Sequence, residues 1–221
     1  MKQSSSANKI RKFSYDRFWD SIRVEVGFVK EFACSPFHVG SICPSSCALA
    51  AQLVSMAQSA AQAASSGLII DLGAGSGPVT GELLRTGVAP ERIVAVERSP
   101  SFVRTFQHRY RNISILAGDA ANLRQMLAES HPGASISAII SSLPFRAIPK
   151  KIATRIIREL HATLLEHGGV LVQYSYVWWQ KNTLSKAGFA PQMSKLVLQN
   201  VPPARVESYT VSPVLRPKLM L

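Results

Sequence analysis

Residues 67–84 read GLIIDLGAGSGPVTGELL. Leu68, Ile69, Ile70 and Leu72 make a short apolar run broken only by Asp71, the pattern of a strand buried on both faces. Glycines follow at every second position, Gly73, Gly75 and Gly77, and then Pro78 opens a run with helical spacing. Glycine removes side chains where a backbone must turn sharply and approach a ligand closely. Pro78 suits the first turn of a helix, where its missing N–H costs nothing. The spacing is GxGxG, one residue short of the GxGxxG that grips a dinucleotide pyrophosphate. No Gly-Lys-Ser/Thr follows, so the loop is not a triphosphate cradle. The reading is a strand, a ligand-facing loop and a helix.

Working outward, the pattern repeats. IVAVE (93–97), ISILAGD (113–119), ISAIISSL (136–143) and GGVLVQYSYV (168–177) are expected strands. SPSFVRTFQHRY, ANLRQMLAE and PKKIATRIIRELHATLLEH are the helices between them. This alternation predicts an α/β fold with a mostly parallel sheet covered on both faces. Two further strands are expected at MSKLVLQNV (193–201) and RVESYTV (205–211). The PPA between them is too short for a parallel crossover, so they must pair antiparallel. That makes seven strands. Upstream, Pro44, Ser45 and Ser46 mark a helix start, and the helix should fade in the Ala/Ser/Gln-rich stretch before Gly67.

The first dozen residues are polar and read as disordered. In FSYDRFWDSIRVEVGFVKEF (13–32), Tyr15, Phe18, Trp19, Ile22, Val26, Val29 and Phe32 recur at three- and four-residue steps. One reading packs this stripe on the domain core; the other lays it in a membrane interface with Arg17, Arg23 and Lys30 around it. The chain has 25 Lys+Arg against 13 Asp+Glu, a net charge of +12. So basic a balance points to a polyanionic partner, either nucleic acid or an anionic membrane surface. Cys34, Cys43 and Cys47 form no CxxC pair, against both a disulfide framework and a metal site. Reduced thiols, no signal-peptide core and no run of about 20 apolar residues predict a cytoplasmic protein that does not span a membrane.

Glu97 ends the second expected strand, twenty residues after Gly77. A carboxylate there can accept both hydroxyls of a ribose. The third strand runs into Gly118-Asp119-Ala120, where an acid can accept from an adenine amino group. Three loops at the carboxyl edge of the sheet thus offer partners to a nucleoside without phosphates. DLGAGSG, AVE and GDA in this order and spacing resemble the class I S-adenosylmethionine-dependent methyltransferases. The resemblance spans residues 67–211. It implies that Gly73, Ala74, Gly75 and Gly77 line the cofactor, with Asp71 near its methionine end. It also implies that Glu97 holds the ribose with Arg98 beside it, that Asp119 and Ala120 face the adenine, and that Ser142 completes the cofactor set.

The fourth strand ends in Ser142-Leu143-Pro144-Phe145. Methyltransferases that act on adenine N6 carry Asn/Asp-Pro-Pro-Phe/Tyr or Asn-Leu-Pro-Phe/Tyr there. The amide oxygen and a backbone carbonyl accept the two amino hydrogens while the aromatic ring stacks on the base. A serine hydroxyl reaches less far and is the poorer acceptor. An alkylamine needs different help. With an intrinsic pKa of ~10.4, about one such amine in a few thousand is neutral at pH 7, so the site must strip or accept the proton. Aromatic faces could hold a methylated cation, and Phe145, Tyr174, Tyr176, Trp178 and Trp179 fall at the ends of the fourth and fifth strands.

Together, VGSICPSSCALA, LGAGSGPVTGELL, GVAPERIVAVERSP, SSLPF and NVPPARVESY are similar to the bacterial phospholipid N-methyltransferases, from about Phe32 to Tyr209. That family methylates phosphatidylethanolamine stepwise towards phosphatidylcholine. The likeness implies a membrane-binding N-terminal helix and a segment at 39–46 that closes over the cofactor. Residues 1–45 then form tail, helix and cover, and residues 46–221 the catalytic domain, peripheral on the inner face of the membrane. Leu143, Pro144, Phe145 and Arg146 would meet the substrate, and Tyr174 or Tyr176 would accept from its amine. Arg146, Lys150 and Lys151 are candidate partners of a lipid phosphate. The competing reading is an adenine-N6 RNA methyltransferase, which the charge and Leu-Pro-Phe also suit.

Overall fold

The computed structural model describes residues 44–61, 66–176, 183–199 and 203–211. The expected N-terminal helix, the covering segment before Pro44, Cys34, Cys43 and the Trp178–Trp179 pair lie outside these residues. The first described helix, α1 (Pro44–Ala60), precedes the sheet. Then follow β1 (Leu68–Leu72), α2 (Pro78–Arg85), β2 (Ile93–Glu97), α3 (Pro100–Arg109), β3 (Ser114–Ala117), α4 (Leu123–Ser130), β4 (Ile136–Ser141), α5 (Lys150–His167) and β5 (Val170–Ser175). A four-residue helix α6 (Thr183–Lys186) leads into β6 (Phe189–Val197) and β7 (Ala204–Val211). Short 3-10 turns at Pro90–Arg92 and Ala120–Asn122 complete the described elements.

The seven strands form one sheet in the order β3-β2-β1-β4-β5-β7-β6. The first five are parallel, while β7 runs antiparallel to both β5 and β6. Strand order reverses between β1 and β4, which opens a crevice at the carboxyl ends of these strands. Each face is covered. Ile69, Ile140, Val172 and Val206 pack on one side with Leu53 and Val54 of α1, Leu83 of α2 and Phe106 of α3. Ile70, Ile139 and Leu171 pack on the other with Leu127 of α4 and Ile156 and Leu160 of α5. Strands buried from both sides do not alternate apolar with polar, which is why β1, β2 and β4 read as near-continuous hydrophobic runs, with Asp71 and Ser137 the polar residues inside them. Arg92 fastens the opposite, amino edge, donating from Nε and Nη2 to the Gly67 carbonyl at 3.1 and 3.0 Å.

The last hairpin departs from the sequence reading. β6 begins at Phe189 and ends at Val197, so it starts four residues earlier than expected and stops before Leu198. Phe189 explains the early start: it is buried, with its ring edge-on to both Tyr209 of β7 and His161 of α5. Pro191 within the strand is tolerated because β6 is the edge of the sheet, and the register shifts between Pro191 and Met193. α6, absent from the sequence reading, is pinned by Leu184, which is 2% exposed.

Candidate active site

The glycine loop is built by backbone before any side chain takes part. Gly73 and Ala74 both donate their N–H to the Val96 carbonyl, at 2.9 and 3.1 Å, and tie the loop to β2. Gly73, Gly75 and Gly77 all have positive φ, at 78°, 56° and 86°. A Cβ on Gly73 would meet Leu143 Cδ2 at 2.8 Å. One on Gly77 would strike the Tyr110 ring, whose hydroxyl donates to the Gly77 carbonyl at 2.8 Å. Space beside Gly75 is open. The loop is therefore buttressed by Leu143 and Tyr110 at its ends and clear at its centre.

Three carboxylates surround that clearing, each partly engaged by the protein. Asp71 is fully buried, and its Oδ2 accepts from the Thr80 N–H at 3.0 Å and the Thr80 hydroxyl at 2.7 Å. Its Oδ1 is buried with no hydrogen-bond partner among the described residues. Burial raises its pKa to about 6; the two Thr80 bonds pull it down, and Glu97 nearby raises it again. Glu97 Oε2 accepts from Gly75 N–H at 2.9 Å, and Oε1 from Ser99 N–H at 2.7 Å. Both oxygens keep lone pairs for further donors. Arg98, the next residue, is exposed. Asp119 caps the 3-10 turn, its Oδ1 accepting from Ala121 N–H at 2.9 Å, and Ala120 is buried behind it.

The fourth corner joins the others directly. Ser142 donates its N–H to the Leu72 carbonyl at 2.9 Å. Leu143 presses on Gly73, so the loop and the Leu-Pro-Phe turn share one surface. The turn closes through Phe145 N–H to the Leu143 carbonyl at 3.0 Å and Ala147 N–H to the Pro144 carbonyl at 2.8 Å. Leu143 and Phe145 pack against the cluster beneath α4 and α5, while Arg146 is exposed at the start of the approach to α5. Tyr174 and Tyr176 pack on the other side, against the cluster beneath α1, with ring centroids 5.2 Å apart in a T-shape. The sequence reading grouped these aromatics; the fold sets Phe145 on one side of the sheet and the two tyrosines on the other. Burial pushes the Tyr174 hydroxyl well above the ordinary tyrosine range, helped by its hydrogen bond with Tyr176. It is thus a neutral hydroxyl at neutral pH, able to accept a hydrogen bond but unsuited to act as a phenolate.

Gln173 is the residue that sequence reasoning missed. It lies on β5, in register with Ser141 of β4 and Glu207 of β7, and is 6% exposed. Its Nε2 donates to the Leu143 and Tyr174 carbonyls, both at 2.9 Å, and bridges the ends of β4 and β5. Its Oε1 is buried with no partner among the described residues. The available signal was a lone polar residue inside the apolar run VLVQY.

These residues fit a nucleoside with a cationic tail. The clearing at Gly75 admits a ligand against the backbone, and Glu97 and Asp119 retain acceptor capacity for ribose hydroxyls and an adenine amino group. Asp71 Oδ1 is a buried anionic oxygen that nothing yet satisfies, the natural counterpart of an ammonium. Among the described residues there is no cluster of side chains suited to a metal ion.

A family model described as a methyltransferase domain matches residues 69–169. Over 141 residues the chain is 26% identical to Ornithine lipid N-methyltransferase from Singulisphaera acidiphila, covering 62% of this chain and 72% of that protein. In fold it is similar to magnesium protoporphyrin IX methyltransferase (ChlM) from Synechocystis PCC 6803 with bound SAM. That match has a TM-score of 0.54 and 13% identity, over 96% of this chain and all of that one. TrmN from Thermus thermophilus is similar with a TM-score of 0.53 and 18% identity, over 75% of this chain. This chain spans about half of TrmN's length, 52%.

Proposed function

We propose that this chain is an S-adenosylmethionine-dependent methyltransferase that methylates the amine of a membrane lipid; the methyltransferase-domain match over residues 69–169 and the class I fold support it. Phosphatidylethanolamine and its methylated intermediates are the substrates, taken towards phosphatidylcholine at an anionic membrane surface. The observation that carries this reading is the occupied Leu-Pro-Phe corner. An adenine amino group would need a side-chain amide and a backbone carbonyl as acceptors. Here the amide is replaced by Ser142, and the Leu143 carbonyl already receives Gln173 Nε2. The likeness to a protein named as a lipid N-methyltransferase supports the same class of substrate.

When bound, S-adenosylmethionine supplies an electrophilic methyl group on a sulfonium. Asp71 Oδ1 would take the ammonium of its methionine end, Glu97 its ribose hydroxyls and Asp119 its adenine amino group. Gly73, Ala74, Gly75 and Gly77 would let the backbone approach, with Arg98, Ala120 and Ser142 at the margins. The protein's task on the other substrate is to present a neutral amine in line with that methyl group. Phe145, Leu143 and Pro144 offer an apolar wall that disfavours the ammonium form. Tyr174 and Tyr176 supply neutral hydroxyls that accept from the amine, and aromatic faces suited to the methylated cation. Arg146, Lys150 and Lys151 lie where the chain leaves the site and would pair with the lipid phosphate.

Pure protein with methyl-labelled S-adenosylmethionine decides the matter. Vesicles containing phosphatidylethanolamine should become labelled, and total RNA should not. Label in RNA alone would replace this reading with adenine methylation.

A further inference from the structure

Exposed apolar side chains gather at one place on the molecule. Among the described residues the large exposed hydrophobics are Leu165, Met193, Leu196 and Leu198, and three of these four lie within six residues. Leu196 is 47% exposed and Leu198 69%. Leu196 is the last residue but one of β6 and Leu198 follows its end; β6 runs parallel to β5 because each is antiparallel to β7. The end of β6 therefore lies at the carboxyl edge of the sheet, the edge that carries the glycine loop and the Leu-Pro-Phe corner. Register confirms the placement: Leu196 pairs with Arg205, and Arg205 pairs with Ser175, one residue beyond Tyr174.

Among the described residues of this hairpin the basic side chains are Lys195 and Arg205, the latter in register with Leu196, and the single acid is Glu207. Lys195 is exposed on β6 next to Leu196. An edge strand that displays leucines invites aggregation unless something covers them. A second copy of the chain is a poor cover. Paired edge to edge it would bring together two β6 strands that each hold Lys195 and no acid, and Pro191 and the register shift beside it interrupt the ladder. RNA would suit the charge but not the leucines. An anionic bilayer suits both, taking leucines into the acyl boundary and lysine and arginine at the phosphates.

We infer that the β6–β7 edge, through Leu196, Leu198 and Lys195, is a bilayer-docking surface that seats the mouth of the active site on an anionic membrane. The inference rests on the lipid reading above and adds a contact surface separate from the N-terminal segment. The lipid amine would then enter from the membrane side, without the molecule having to lift the lipid into water.

The test uses the full chain and vesicles of phosphatidylethanolamine with phosphatidylglycerol. A Leu196→Ser/Leu198→Ser double variant should lose about tenfold in vesicle affinity. Lys195→Glu should weaken binding at low salt and flatten its salt dependence. Leu165→Ser, equally exposed but on the last turn of α5 at the opposite edge, should bind as the parent does. Turnover of a dispersed short-chain phosphatidylethanolamine should be unchanged in all three variants. Sedimentation of the double variant with vesicles as well as the parent would overturn the inference. So would failure of the parent to sediment, turnover of the dispersed lipid falling in step with vesicle turnover, or a parent dimer that the double variant dissolves. If the double variant loses vesicle binding while the parent methylates no lipid, the docking edge stands and the lipid-methylation reading falls.

Discussion

One oxygen of the Asp71 carboxyl is held twice by Thr80, and the other meets no donor among the described residues. With no ligand the ionised form is disfavoured, and the pKa stands near 6 against an ordinary 3.8. The native state therefore binds this proton more tightly than the unfolded chain. The associated stability is full below about pH 4, is lost as the pH rises to about 6, and changes little above; the difference is on the order of 3 kcal/mol. A cationic ligand at Oδ1 would release the proton. Affinity for S-adenosylmethionine should then climb between pH 5 and 6, by up to about tenfold per unit, and level off near pH 7. Calorimetric titration across that range checks it, and Asp71→Asn should bind weakly with no such slope. Gln173 makes a second prediction. Gln173→Glu would face the Leu143 and Tyr174 carbonyls with acceptors instead of donors, so kcat should fall by about 10- to 100-fold with affinity for the cofactor nearly kept. A parallel loss of cofactor affinity would show that Gln173 merely holds the fold.

At the scale of elements, the glycine loop and the fourth corner behave as one unit because Leu143 rests against Gly73. Gly73→Ala would both strain a residue at φ 78° and push on the substrate corner. Cofactor binding and turnover should fall together, by more than tenfold, in equilibrium binding and steady-state assays. Tyr110→Phe removes only the hydroxyl that anchors the Gly77 carbonyl. It should cost about 1 kcal/mol in thermal or denaturant unfolding, with a smaller loss of affinity. Much of this was legible in the chain. The placing of GxGxG, Glu97 and Asp119 at the carboxyl edge was legible because each follows an apolar run, and strands β1 to β5 followed from alternation. Tyr110 and Gln173 were hidden because their roles depend on contacts across 33 and 30 residues of sequence, which no local pattern encodes. The start of β6 was hidden for a similar reason: Pro191 argues against a strand until one knows that β6 is an edge.

For the molecule as a whole, the sheet divides the labour. Its carboxyl edge gathers the site carboxylates, the open turn and the exposed Leu196 and Leu198, while its amino edge is tied by Arg92. None of the described helices is long and apolar enough to cross a membrane. Removing residues 1–30, which carry a net charge of +4 from seven basic and three acidic residues, should weaken vesicle binding and leave much of the unfolding transition intact. Sedimentation and thermal melts of the shortened chain measure both. Vesicle binding equal to the full chain would remove that segment from the membrane contact.

The order of the strands has a bearing on how the protein is made. β7 is last of the seven in sequence, yet it sits between β5 and β6. Until residues 204–211 have left the ribosome, any emerged part of β6 has no strand to pair with, and the flank of β5 is bare. The nascent chain must keep the exposed leucines of β6 from sticking to its neighbours until β7 arrives and slots into the gap. A released chain that stops at residue 203 should bind chaperones and precipitate, whereas the 221-residue chain should not.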